Sequence, residues 1–216
     1  MKILLTGFEP FAESTINPSE QVVRALSREK IDGVESRTAI LPADRARGPQ
    51  MLIDAFEQSQ PDAVLCLGEA SRRMAISIER VAINLLDFRI ADNAGQQAID
   101  EPIVRGAPAA YFSTLPARAM YDTVRAAGVP CELSLSAGAF LCNQVMYVML
   151  HYLAEHRLNI PAGFVHLPAL PEQVALRDAL IPSMGLETMI VGIRAAIETL
   201  KVSIASKNPI EVSLLR

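Results

Sequence analysis

Short, continuously apolar runs alternate along the chain with segments of helical periodicity. Ile3-Leu4-Leu5-Thr6, closed by Gly7, and Ala63-Val64-Leu65-Cys66-Leu67, closed by Gly68, predict strands buried on both faces. Three more strands are expected over Val34–Ile40, Cys131–Ser136 and Gly163–Leu167, the last stopped by Pro168. Asn17-Pro18-Ser19-Glu20 predicts a helix start, with Asn17 as N-cap, Pro18 in the first turn and Glu20 at the capping-box position. Val22, Val23 and Leu26 form the apolar stripe of that helix. Pro49 opens a second helix carrying Met51, Leu52, Ala55 and Phe56, and a third runs from Pro116 to Ala127 before Gly128. Phe140–His156 predicts a strongly apolar helix and Leu186–Leu200 a last one, while the chain after Ser203 shows no clear pattern. Ala75–Leu86 reads as extended. Asp87–Ser113, rich in Asp, Asn, Gly and Pro, predicts a long excursion with little regular core, suited to a functional or interface role. Strands alternating with helices imply one α/β domain over residues 1–216, its mainly parallel sheet covered on both faces.

Composition narrows the function more than the fold. The chain has 216 residues, half of them hydrophobic and 20% charged, the balance of a globular protein. A net charge of −4, no Trp and no basic cluster argue against nucleic-acid binding. Only three apolar residues follow Lys2, which predicts no signal peptide, and no apolar run approaches the length of a membrane span. Three widely spaced Cys do not make a disulfide framework, as expected for a reducing cytoplasm. The Gly-x-Gly-x-x-Gly, P-loop and Gly-x-Ser-x-Gly patterns are all missing, which removes the main support for dinucleotide binding, nucleotide hydrolysis by a P-loop and a serine nucleophile elbow.

Ligands of open α/β sheets bind outside the carboxyl ends of the strands. Those ends are expected to deliver Gly7-Phe8-Glu9-Pro10-Phe11, Gly68-Glu69, Ala137-Gly138-Ala139-Phe140-Leu141-Cys142-Asn143 and His166-Leu167-Pro168. A thiol and an imidazole thereby meet on one rim. Cys66, inside an apolar strand, reads as an inert buried thiol, and Cys131 as filler. Cys142 just inside a helix N-terminus is where unpaired N–H groups favour a thiolate, although a small packing residue fits the same place. His151 and His156 are five apart, about 140° around a helix, and so do not form a chelating pair. His156 near the helix end suits the dipole, whereas His166 ends its strand beside Cys142. Glu79 interrupts the apolar stretch Met74–Asn84. Such a carboxylate needs a partner, and either orienting the imidazole or a structural ion pair satisfies that need.

Six ordered blocks make the chain resemble the type I pyroglutamyl peptidases over residues 3 to about 180. They are Thr6–Phe11 with Ile16–Ser19, Ile78–Asn84, Arg89–Gly95, Gly106–Tyr111, Ser136–Asn143 and Gly163–Pro168. The resemblance implies a three-layer α/β/α sandwich with an open, twisted sheet, no cofactor or metal, a cytoplasmic location and a homotetramer. It implies Cys142 as nucleophile, His166 as base and then acid, and Glu79 as the group orienting His166. The implied substrates are peptides and proteins with an N-terminal pyroglutamyl residue. Phe8 and Phe11 fall on ring-packing walls, Asn17 on a site-lining asparagine, Arg89 on a loop arginine supporting the acyl oxygen or ordering the site, and Leu141 beside the nucleophile on a further substrate contact. Two positions depart from the pattern. Ala12-Glu13 stands where relatives carry Gly-Gly, and Glu69 stands where bacterial relatives often carry Gln. The second departure keeps open a thiol amidase of the same fold with a different acyl preference, and a non-catalytic oligomeric binding protein is the third expectation.

Overall fold

The computed structural model describes residues 1–175 and 181–206. Eight strands and six helices follow in chain order. They are β1 (Lys2–Phe8), α1 (Pro18–Leu26), β2 (Glu35–Leu41), α2 (Arg47–Ser59), β3 (Ala63–Glu69), β4 (Ile76–Glu79), β5 (Val81–Ile83), β6 (Ala110–Phe112), α3 (Ala117–Ala126), β7 (Cys131–Ser134), α4 (Leu141–Glu155), β8 (Ala162–Leu167), α5 (Pro171–Val174) and α6 (Leu186–Ala205). Six strands form one sheet in the order β2-β1-β3-β8-β4-β7, and β5 and β6 form a separate antiparallel pair.

The continuous apolar runs behave as a doubly covered sheet requires. Ile3, Leu5, Leu65, Leu67, Val165 and Leu167 point to one face, where Val22, Val23 and Leu26 of α1, Met120 and Val124 of α3 and Met189, Ile193 and Ile197 of α6 meet them. Leu4, Val64, Cys66, Ala162 and Phe164 point to the other, against Leu52 and Phe56 of α2 and Val145, Met146 and Met149 of α4. Successive strand residues alternate between these two layers, so every position of β3 from Ala63 to Gly68 is buried. The approach of α1 to β1 depends on glycine. At Gly7 an added Cβ would stand 2.6 Å from the backbone oxygen of Ser19, so α1 docks directly on β1. Gly7→Ala is expected to cost ~1–3 kcal/mol through overpacking, read as a lower melting midpoint; an unchanged midpoint contradicts the docking.

The mainly parallel sheet and the Asn17 cap hold, while the shared rim, the unbroken extended stretch, the capping box and the irregular excursion are corrected. The sheet is parallel across β2, β1, β3 and β8, but β4 pairs antiparallel with β8 and parallel with β7. The carboxyl ends of β4 and β7 therefore face away from those of β3 and β8, and the segment after β7 has to fold back to bring Cys142 near His166. The extended Ala75–Leu86 stretch breaks at Arg80 into β4 and β5, which belong to different sheets. Asn17 caps α1 through its side chain, accepting from the Ser19 N–H at 2.9 Å. Glu20 closes no capping box there and pairs instead with Arg24 one turn on, at 2.7 Å. The excursion from Asp87 to Ser113 contains β6 and is more ordered than its composition suggests. Phe88 and Ala98 are buried, Leu86 bridges Glu101, Asp92 accepts N–H bonds from Arg45, Ala94 and Gln96, and Asn84 exchanges bonds with Val104. Local polar closure replaces a local apolar core. The sequence after Ser203 lies partly outside the described residues. No described helix is long and apolar enough to cross a membrane.

Candidate active site

A cavity of about 320 Å³ opens over the face of the sheet that carries Phe164 and His166. That volume suits a single small group. Phe8, Phe11, Asn17, Glu69, Arg89, Leu141, Cys142 and His166 all line it. Only Glu79 of the residues selected from sequence stands outside the lining, because it lies behind His166. Ala43, Asp87, Ile90, Ala137, Ala139 and Phe140 complete the wall.

His166 comes from β8, in register with Gly68 of β3 and Ser77 of β4. Glu79 is two residues beyond Ser77 on β4 and so points to the same face. It is fully buried, and its Oε1 lies 2.8 Å from His166 Nδ1. A carboxylate only accepts, so the ring carries its proton on Nδ1 and leaves Nε2 as the acceptor. The same Oε1 accepts from Arg73 Nη1 at 2.7 Å, while Oε2 is buried with no hydrogen-bond partner among the described residues. Glu79 Oε1 thus bonds an imidazole and a guanidinium at once. Its cationic partner Arg73 is not apparent from spacing, since it lies in the turn between β3 and β4.

Cys142 is the second residue of α4. Phe140 at the N-cap has no side-chain acceptor, so the first-turn N–H groups carry no cap. The helix start is held by Asn143, whose buried amide accepts from the Ile83 N–H at 2.9 Å and donates to the carbonyls of Ile83 and Leu85 at 2.9 and 3.1 Å. Gly68 makes room for the sulfur. A Cβ there would stand 2.9 Å from Cys142 Sγ and 2.6 Å from Phe164 Cζ. The thiol is not the resting thiolate that a helix N-terminus alone favours. Burial, reinforced by the charges of Glu79 and Glu69, pushes it up to about 12 against the opposing pull of Arg73 and the helix N–H. Burial likewise holds His166 below the usual histidine range, more than its bond to Glu79 raises it. Burial thus works against the charged form of each member of the pair. Cys66 is pushed up to about 12 by burial and Cys131 to about 11, consistent with inert thiols.

The remaining lining residues are fixed by the loops. Phe8 packs near Phe164, with ring centroids 6.5 Å apart, and Phe11 near Phe140 at 6.2 Å. Phe140 stands edge-on to Phe88 at 4.5 Å, so the apolar wall is an aromatic group that includes one ring beyond the two expected. Ala12 keeps a left-handed φ of 54° although it carries a Cβ, so the tight turn after Phe11 is retained at a position where glycine is easier. Asn17 both caps α1 and donates to the Glu9 carbonyl at 3.0 Å, with its side chain on the cavity. Glu69 faces the cavity and accepts from Gln173 Nε2 at 3.0 Å, while Arg73 turns to Glu79. Gln173 also donates to Ser14 Oγ and the Ile16 carbonyl, tying α5 to the loop before α1. Arg89 is exposed at the mouth. His151 bonds Tyr111 at 2.9 Å and His156 stacks on Tyr152 at the end of α4, both away from the cavity lining.

Known proteins resemble this chain in sequence and in fold. The pyroglutamyl peptidase family model matches residues 1–203. The pyrrolidone-carboxylate peptidase of Vibrio vulnificus strain CMCP6 is 47% identical over 198 residues, covering 92% of each chain. That of Gloeobacter violaceus is 47% identical over 201 residues, covering 93% of this chain and 97% of the other. Among solved structures, the pyrrolidone carboxyl peptidase of Thermococcus litoralis superposes with a TM-score of 0.92 at 38% identity over 96% of both chains. A mutant of the Pyrococcus furiosus enzyme gives 0.91 at 40% identity, over 94% of this chain and all of the other. Sequence over nearly the whole length and fold at high overlap agree, and the chain belongs to the pyroglutamyl peptidase family of cysteine peptidases.

Proposed function

We propose that the cavity removes an N-terminal pyroglutamyl residue from peptides, with Cys142 as nucleophile, His166 as general base and acid, and Glu79 orienting the imidazole. The observation that carries the reading is the meeting of Cys142 and His166 in one small cavity, with Glu79 2.8 Å behind the ring. The neutral lactam ring enters between Phe8, Phe11 and Phe140, where an apolar wall receives it without a charged amine to solvate. The lactam N–H is a donor, and the Glu69 carboxylate on the same cavity is an acceptor held in place by Gln173.

Docking of substrate brings the scissile carbonyl over Sγ. His166 Nε2 takes the thiol proton as the C–S bond forms, and the Glu79 carboxylate faces the imidazolium that results. First-turn N–H groups of α4 donate to the oxyanion. The imidazolium then protonates the leaving amine as the C–N bond breaks, and water deprotonated by His166 releases pyroglutamate from the thioester. Because burial works against the charged form of both groups, His166 has to be unprotonated before it takes the thiol proton. With His166 lowered by burial, kcat/KM is expected to rise along an acid limb below about pH 6.5.

The test compares pyroglutamyl, glutamyl and prolyl amide chromogens across that pH range. Preferred turnover of the pyroglutamyl amide is the expected outcome. The carboxylate of Glu69 gives the second reading its support, since it also suits a protonated amine, and preferred turnover of the glutamyl or prolyl amide would establish a thiol amidase of altered acyl specificity. Assembly as a homo-oligomer and a cytoplasmic location belong to the same proposal and rest on family resemblance alone.

A further inference from the structure

A buried carboxylate and an exposed carbonyl on different elements converge on one side chain that the reaction scheme leaves unused. Arg73 leaves the turn between β3 and β4 and donates from Nη1 to Glu79 Oε1 at 2.7 Å and from Nη2 to the Ser136 carbonyl at 2.8 Å. Glu79 is the carboxylate behind His166. Ser136 opens the turn Ala137–Phe140 that ends at the nucleophile's helix. Its flanking N–H bonds, from Ser136 to Ser134 Oγ and from Gly138 to Ser136 Oγ, are long, at 3.2 and 3.3 Å. The guanidinium bond to the Ser136 carbonyl, at 2.8 Å, is shorter than either and holds the start of the turn, while the Asp87 N–H donates to the Ala139 carbonyl at 2.9 Å and holds its end. β4 and β7 both run against β8, so the carboxyl end of β7 leads away from His166 and the chain returns across the sheet, where such a tether can hold it.

We propose that Arg73 is a positioning residue for both halves of the catalytic pair, its planar fork fixing the Glu79 carboxylate against His166 and the turn that presents Cys142 in a single contact. The inference rests on the proposed roles of Cys142, His166 and Glu79. A guanidinium fits the task because two donors diverge from one rigid plane, which an ammonium does not reproduce. Its position also sets the charge around the pair. Its charge pairs with Glu79 on β4 and Glu132 on β7 at 3.7 Å and acts on Cys142 of α4 and His166 of β8, while Glu69 at the end of β3 acts on Cys142. Glu132 is shared with the Ser77 hydroxyl at 2.7 Å, which leaves Glu79 as the closer anionic partner. The positive charge lowers both His166 and Cys142, and Glu79 raises both.

Arg73→Gln, Arg73→Lys and Glu79→Gln, compared with the wild-type chain, test this by two readouts across pH. One is kcat and KM on a pyroglutamyl amide, and the other is the rate at which iodoacetamide labels Cys142, followed on the Cys142 peptide. Arg73→Gln is expected to lower kcat by about 10²-fold with KM within about threefold. It should also move the acid limb of turnover and the labelling profile to higher pH by about one unit. Glu79→Gln moves the acid limb to lower pH. Arg73→Lys keeps both profiles near the wild-type position while kcat falls about tenfold. Profiles of Arg73→Gln that superimpose on those of the wild type would overturn the proposal, whatever its melting temperature. Should Arg73→Gln not fold, Arg73→Lys decides, and a wild-type kcat there overturns it equally. If wild-type protein turns over no pyroglutamyl amide, the substrate assignment fails, while the labelling profiles still decide the role of Arg73.

Discussion

Cys142→Ser is expected to reduce turnover of a pyroglutamyl amide by at least ~10³-fold while leaving the melting midpoint where it is. The substitution keeps the size of the side chain above Gly68, where a Cβ on the strand would already crowd Sγ at 2.9 Å, so packing is preserved. The nucleophile is what changes. A thiol pushed up to about 12 by burial is a reluctant acid, and His166, itself lowered, takes its proton only as the C–S bond forms. A hydroxyl is a far weaker acid and gains nothing from the polarisability of sulfur, so the same base no longer suffices. Iodoacetamide provides the companion measurement, since labelling at the Cys142 peptide disappears while the slow background at Cys131 stays. Turnover within tenfold of wild type would remove Cys142 from the reaction.

Glu79→Gln comes next in size, with kcat expected to fall ~10²–10⁴-fold. The amide matches the carboxylate in shape, and its oxygen still accepts from His166 Nδ1 and Arg73 Nη1 where Oε1 does now. Its NH₂ group takes the place of Oε2, which is buried without a partner among the described residues, and leaves two new donors unsatisfied there. Hydrogen-bond geometry thus survives while the negative charge facing the imidazolium is lost. The penalty falls on the step in which His166 is charged, so kcat drops more than KM rises. With its anionic partner removed, His166 is lowered further, and the acid limb of kcat/KM moves to lower pH. A limb that stays in place, with kcat near that of the wild type, would return Glu79 to a purely structural ion pair.

Opposite shifts from Arg73→Gln and Glu79→Gln follow from one geometry. The imidazole feels a carboxylate at 2.8 Å that raises it and, through that carboxylate, a guanidinium that lowers it. Removing the anion and removing the cation must therefore move the same limb in different directions. A local loosening of the fold has no reason to do so.

Strand cores and helix starts were legible because their signals are local. Burial on both faces demands apolar residues at every position, which is why β1, β3 and β8 read as unbroken runs, and Asn17-Pro18 announces α1 through one side chain and one fixed dihedral. Strand direction left no such trace. Ile76-Ser77-Ile78-Glu79 has the same alternation whether it runs with β8 or against it, so the return of the Ser136–Phe140 turn over the sheet was hidden. Glu20 carried the capping-box pattern, yet Arg24 one turn on took its carboxylate. The excursion after Leu86 hid its order because Asp92 and Asn84 hold it by bonds to backbone groups distant in sequence.

The sequence by itself determined the chemistry available: a thiol at a helix start, an imidazole at a strand end, a carboxylate in an apolar stretch, and aromatic rings after the first strand. Residue type and local spacing carry that information. Only the tertiary structure decided the charge states and the fourth partner. Burial depends on all the layers at once, and it reversed the resting thiolate that the helix terminus favours. The bond from Arg73 to Glu79 and Ser136 joins a turn, a strand and a loop, 6 and 63 residues apart in sequence, that meet only when the sheet has formed.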